Sequence, residues 1–122
     1  MKIIISIAIV ATLALAGCAN NRIYAWGGYD ELLYRQYKDP AQALDMRIKL
    51  EAHVAQLEQS RQKVPPGLYA EIGTLYLQTN DKVTAAAYYK KEHEVWPESR
   101  ALMTAMISSI SKEKNSSTPS AQ

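Results

Sequence analysis

The sequence is 122 residues long, with 14 Lys and Arg against 12 Asp and Glu, and it contains a single Cys. A chain of this length holds one small domain, and its near-balanced charge gives no electrostatic reason to expect nucleic acid or an acidic membrane face. One Cys forms no disulfide within the chain, so the fold must be held by its core alone.

Lys2 is followed by an apolar run from Ile3 to Ala16 and by the ending Leu15-Ala16-Gly17-Cys18. A charged start, an apolar stretch and small residues before a cleavage point describe a secretory signal peptide over residues 1–17. The run is shorter than the roughly 20 residues of a comfortable membrane span. An uncleaved anchor helix is the alternative; Gly17-Cys18, placed where cleavage chemistry needs it, favours the signal. The ending resembles the bacterial lipobox, in which the cysteine is lipidated and becomes the first mature residue, so Cys18 is the expected lipid-attachment site. That resemblance implies a diacylglyceryl group plus an N-acyl chain such as palmitate. Two or more chains give a permanent anchor where one binds only marginally. In a Gram-negative host, Ala19 in the second mature position implies sorting to the outer membrane, facing the periplasm.

Residues 18–29 read as a lipidated tether and an aromatic segment. Ala19 to Arg22 reach only about 13–14 Å when fully extended, which keeps the folded part close to the headgroups. In Tyr24-Ala25-Trp26-Gly27-Gly28-Tyr29 the paired glycines permit a tight turn. The aromatics suit an interfacial anchor; folding back onto the core is the favoured reading, because a small core without disulfides needs its large side chains. Asp30 is placed to cap a helix through Leu32, Leu33 and Tyr37. Asp39-Pro40 starts a second helix with Pro at its first position, and apolar Ala43, Leu44, Ile48, Leu50, Val54 and Leu57 follow at helical spacing. Asp45-Lys49 and Glu58-Gln62 put charge on the opposite, solvated face, and Lys63-Val64-Pro65-Pro66-Gly67 ends the helix. Residues 30–65 are thus expected to form a degenerate helical hairpin whose second helix spans 40–62.

A third helix is predicted from Leu68 to Gln78, a turn at Thr79-Asn80-Asp81, and a fourth helix, capped by Asn80 or Asp81, to Val95. Trp96-Pro97 stops it. Glu98 or Ser99 opens a fifth, with Leu102, Met103, Met106, Ile107 and Ile110 at steps of three and four, over residues 99–114. The tail 115–122 buries too little to stay ordered. No segment alternates with period two, so the expected fold class is all-α, built of antiparallel helix pairs.

Pro66 to Ser99 spans about 34 residues, the period of a tetratricopeptide repeat. The segment resembles that repeat in Tyr69, Ile72-Gly73 and Tyr76 on its first helix, and in Ala85, Tyr89 and the closing Pro97 on its second. Gly73 and Ala85 let the two helices approach, and Tyr69, Tyr76 and Tyr89 are expected to fill the groove between them and the next helix. Glu92 departs from the pattern where a second small residue usually sits, which suggests a looser or solvent-facing edge. One repeat cannot bury its own faces, so residues 30–65 take the place of a preceding unit and residues 99–114 that of a C-terminal capping helix.

The order of segments is also similar to that of a family of small bacterial lipoproteins carrying a domain of unknown function. The residues that carry this are Tyr24-Ala25-Trp26-Gly27-Gly28-Tyr29, Val64-Pro65-Pro66-Gly67-Leu68-Tyr69-Ala70-Glu71, and Lys91-Glu92-His93-Glu94-Val95-Trp96-Pro97-Glu98-Ser99. The family is often encoded beside a lipoprotein related to the curli secretion channel and beside another small lipoprotein. The resemblance therefore implies partners among envelope lipoproteins or an outer-membrane secretion-channel-like protein.

Catalytic groupings are not legible in the chain. His53 and His93 have no second imidazole or thiolate at ligand spacing, and Glu92-His93-Glu94 points to different helix faces. Asp30-Glu31 suits a helix start. No phosphate loop, nucleophile elbow or zinc-binding His pair occurs. The expectation is a non-enzyme without cofactor, metal or nucleic acid. On the repeat's first helix the resemblance assigns a peptide-binding face to Ala70, Thr74, Leu77 and Gln78, either open or covered by the helix at 40–62. The functional expectation is a membrane-anchored interaction module in an envelope lipoprotein complex. The alternative is an assembly chaperone or pilotin-like factor for an outer-membrane channel.

Overall fold

The computed structural model describes residues 22–116; the signal segment, Cys18 and the end of the tail lie outside the described residues. The described chain is all-helical: α1 (Tyr29–Lys38), α2 (Ala43–Gln59), α3 (Leu68–Gln78), α4 (Lys82–Val95) and α5 (Arg100–Ser116), with short 3₁₀ turns at Pro40–Gln42 and Pro97–Ser99. No strand occurs among the described residues. None of the described helices is long and apolar enough to cross a membrane.

Several helix ends differ from the sequence reading, each for a local reason. Gly28, with φ 74°, is the N-cap of α1, and Asp30 sits instead in the first turn beside Glu31, where acids suit the helix dipole. Asp39 does cap, but it accepts from Ala41 N–H and starts the 3₁₀ turn, so α2 begins only at Ala43. At its far end α2 stops at Gln59 rather than residue 62. Gln62 N–H donates to Leu57 O and Arg61 N–H to Glu58 O, with Arg61 left-handed at φ 56°: a Schellman stop. The same geometry ends α3, where Asn80 is left-handed at φ 62° and Asp81 N–H donates to Tyr76 O. Asp81 then caps α4 by accepting from Thr84 N–H at 3.0 Å. α5 runs to Ser116, into the expected tail. An ion pair of Glu113 with Lys82 at 2.9 Å supports its last turns.

α3 is the central helix. Leu68, Tyr69, Ile72 and Leu75 share a core with Met46, Leu50, Val54 and Leu57 of α2, Leu32 of α1 and Val64. Met46, unread in the sequence stripe, is buried at 1% exposure, whereas Leu44 and Ile48 are more than half exposed. Gly73 faces α4: a Cβ there would lie 2.8 Å from the Tyr89 ring and 3.1 Å from Ala85 O, so only glycine permits this approach. A second cluster of Ala85, Tyr89 and Met103 joins α4 to α5, with Ala70, Leu77, Met106, Ile107 and Ile110 against it.

Candidate functional site

Two regions carry the side chains that the sequence singles out. The first is the end of the bundle where α3 begins. Glu92, on the last turns of α4, is fully buried, not the loose or solvent-facing edge expected of it. Its Oε1 accepts from Gly67 N–H at 2.7 Å and from Ser99 Oγ at 2.9 Å. One carboxylate oxygen thus holds the N-terminus of α3 to the entry of α5, while Oε2 accepts no hydrogen bond from the described residues. Beside it, the Trp96 indole N–H donates to Val64 O at 3.2 Å. Lys63 Nζ lies 3.6 Å above the Trp96 ring, and Tyr24 meets that ring edge-on at 5.6 Å.

The aromatic segment folds back along this end. His53 Nε2 donates to Ala25 O at 2.7 Å, which places the proton on Nε2, and Gly27 lies against the same imidazole with no room for a Cβ. Trp26 tilts over Tyr29 at 6.1 Å. Tyr29 packs on the core with the half-buried Glu71 of α3 beside its phenol. Burial raises the Glu71 carboxyl above the usual range and outweighs the opposing influence of the Tyr29 hydroxyl. Burial first, then the Glu71 charge, raises the Tyr29 phenol.

The flank of α2 is polar and its partners are tyrosines. Glu51 accepts from Tyr76 OH at 2.6 Å and Tyr88 OH at 3.1 Å; the two rings stack at 5.7 Å, and the Arg47 guanidinium lies 4.2 Å above Tyr76. Glu58 accepts from Tyr69 OH at 2.8 Å and Lys91 Nζ at 3.1 Å. The Tyr69 bond, aided by Lys91, holds the Glu58 carboxyl below the ordinary range. Tyr69 and Tyr76 therefore lean on the preceding helix through their hydroxyls. Tyr89 meets the expectation of filling the space toward the following helix.

The second region is the face of α3 between α1 and α5. Ala70 and Leu77 are half-buried against the α4–α5 cluster. Thr74 Oγ1 donates to Ala70 O at 3.0 Å, so Tyr89 O–H, 3.1 Å away, donates to Thr74. Gln78 is exposed. It lines an open pocket of about 420 Å³ with Leu33, Gln36, Tyr37 and Pro40. The long helix α2 contributes its apolar row to the other side of α3.

No group of three or more His, Cys, Asp or Glu among the described residues is placed to hold a metal ion. His93 lines a separate, open pocket of about 210 Å³ with Lys90, Glu94, Thr104, Ile107 and Ser108.

Neither a curated protein nor a solved structure matches the chain. Residues 23–106 do match a protein family, and that stretch spans the three motif segments, α1 to α4 and the first part of α5. The chain belongs to the family defined by the domain of unknown function DUF4810.

Proposed function

We propose that this protein is a membrane-anchored bacterial envelope lipoprotein, lipidated at Cys18, that serves as a protein–protein interaction module in a lipoprotein complex. The observation that carries the reading is the open face shared by α1 and α3. Tyr37 is 86% exposed and Leu33 42% exposed, and they flank the amides of Gln36 and Gln78 around one pocket. Apolar side chains beside paired amides suit an extended peptide, whose backbone needs hydrogen-bond partners and whose side chains need apolar contacts. In this reading α1, α3 and α5 act as the first helices of successive tetratricopeptide-like units, with α5 as the cap. Gln78 presents the polar contact of α3 to this pocket, while Ala70 and Leu77 pack on the α4–α5 cluster and the Thr74 hydroxyl is engaged with Ala70 O and Tyr89.

The lipobox-like ending and the short tether support an envelope location. The family resemblance drawn from the sequence points to other envelope lipoproteins, or to an outer-membrane secretion-channel-like protein, as partners. The reading gives the protein no catalytic role. Its test is affinity purification of the tagged full chain from detergent-solubilised envelopes after mild crosslinking. A stoichiometric envelope partner is expected; recovery of the lone monomer under both conditions contradicts the reading. An assembly-chaperone or pilotin-like role predicts further that deletion lowers the abundance of a partner channel.

A further inference from the structure

The described chain begins at Arg22, on the motif end of the bundle, four residues after Cys18. Ile23 is 87% exposed although it is a large apolar side chain. Tyr24, next in sequence, is held on the Trp96 ring, and Lys63 Nζ stands over the same ring with its side chain at the surface. Arg22, Trp26, Tyr29 and Asp30 line an open pocket of about 380 Å³ beside it. Both tryptophans of the chain belong to this end.

We infer that this end of the bundle is a headgroup-contact surface: Ile23 inserts at the acyl boundary, Trp26 sits at headgroup level, and Arg22 and Lys63 meet lipid phosphates. The inference rests on lipidation of Cys18. Trp and an apolar residue flanked by basic side chains is the composition that interfacial anchoring favours. Among the described residues Arg22 and Asp30 line the pocket, and Lys63 adds a second cation at this end. The tether supplies the rest. Four extended residues reach about 13–14 Å, so this end meets the bilayer at the high effective concentration of an intramolecular contact. A surface too small to bind vesicles from solution then stays docked. Docking also orients the molecule, directing α1 and α3 along their length away from the membrane and leaving the Tyr37–Gln78 pocket at the distal end.

The test uses the full lipoprotein reconstituted into phosphatidylethanolamine–phosphatidylglycerol vesicles whose acyl chains are brominated near the headgroup. Trp96 is 5% exposed and serves as the protected reference. Quenching of the Trp26 emission is expected and should vanish in Trp26→Phe. Ile23→Ser combined with Lys63→Glu, both at exposed positions, should reduce the quenching at least twofold. Quenching should persist when a ten-residue Gly-Ser insertion between Ala19 and Asn20 lengthens the tether. Unquenched Trp26 in a protein whose mass shows the lipid overturns the inference, and so does quenching that disappears with the insertion. A mature protein without lipid overturns the anchoring reading, and this inference with it.

Discussion

Glu92 occupies a position where the repeat pattern calls for a small side chain, and the two views of that position make opposite demands. By pattern, alanine would improve the helix packing. By geometry, Glu92 Oε1 is the acceptor for both Gly67 N–H and Ser99 Oγ, and the Glu92 side chain itself is fully buried. Removing the carboxylate leaves a backbone donor at the start of α3 without its partner and opens a cavity. Each such loss costs about 1–3 kcal/mol, and the cavity adds to it. Glu92→Ala is therefore expected to destabilise the protein by about 2–4 kcal/mol in chemical denaturation. Glu92→Gln retains an acceptor oxygen at the same place and should lose less. A neutral or stabilised alanine variant would contradict the account. From sequence alone Glu92 read as a defect, because its partners lie 25 residues before it and 7 after it, and no local spacing announces them.

Among the elements, the stops were more legible than the faces. Gly67 and Asn80-Asp81 mark the limits of α3, and its predicted span of Leu68 to Gln78 is the observed one. The stripe on α2 was right for Leu50, Val54 and Leu57, with Ala43 beside them, and wrong for Leu44 and Ile48, because the helix carries two apolar rows. Met46 with Leu50 faces the core, while Leu44 with Ile48 faces outward, and periodicity does not say which row a neighbour covers. The Glu51 and Glu58 contacts were illegible for a related reason, since a carboxylate at helical spacing looks solvated until a tyrosine from another helix reaches it. The stop of α2 also carries a local cost. Arg61 holds a left-handed conformation that disfavours a side chain by about 1–2 kcal/mol, and it is exposed. Arg61→Gly is expected to raise the melting temperature by a few degrees. A lowered melting temperature would mean that the Arg61 side chain contributes more than its backbone strain removes.

Across the whole molecule, segments far apart in sequence meet at one end. Tyr24 rests on Trp96, Trp96 donates to Val64, and Glu92 ties Gly67 to Ser99. These contacts make the three segments a packing requirement of this corner, whatever the surface beside it does. The tyrosines report on the same global integrity. Burial, then Glu58, raises the Tyr69 phenol; burial, then Glu51, raises Tyr88. The Glu51 bond, then burial, raises Tyr76, and burial with Glu71 raises Tyr29. A group whose folded pKa lies above its unfolded value, about 10 for tyrosine, stabilises the fold fully below that pH and loses the contribution as pH rises. Absorbance at 295 nm should therefore show Tyr29, Tyr69, Tyr76 and Tyr88 ionising above the ordinary tyrosine range or only as helicity is lost. A single smooth titration with helicity intact would contradict the tyrosine–carboxylate contacts.

The central claim is that the α1–α3 face engages a partner in the envelope. It is tested most directly by placing a photo-crosslinking amino acid at Tyr37 or Gln78 of the full chain and irradiating intact cells. Val83, on α4 and 82% exposed, serves as the control position. Discrete adducts to an envelope protein from Tyr37 and Gln78, with none from Val83, are the result this account expects. Adducts from Val83 alone, or none from any position, would contradict it.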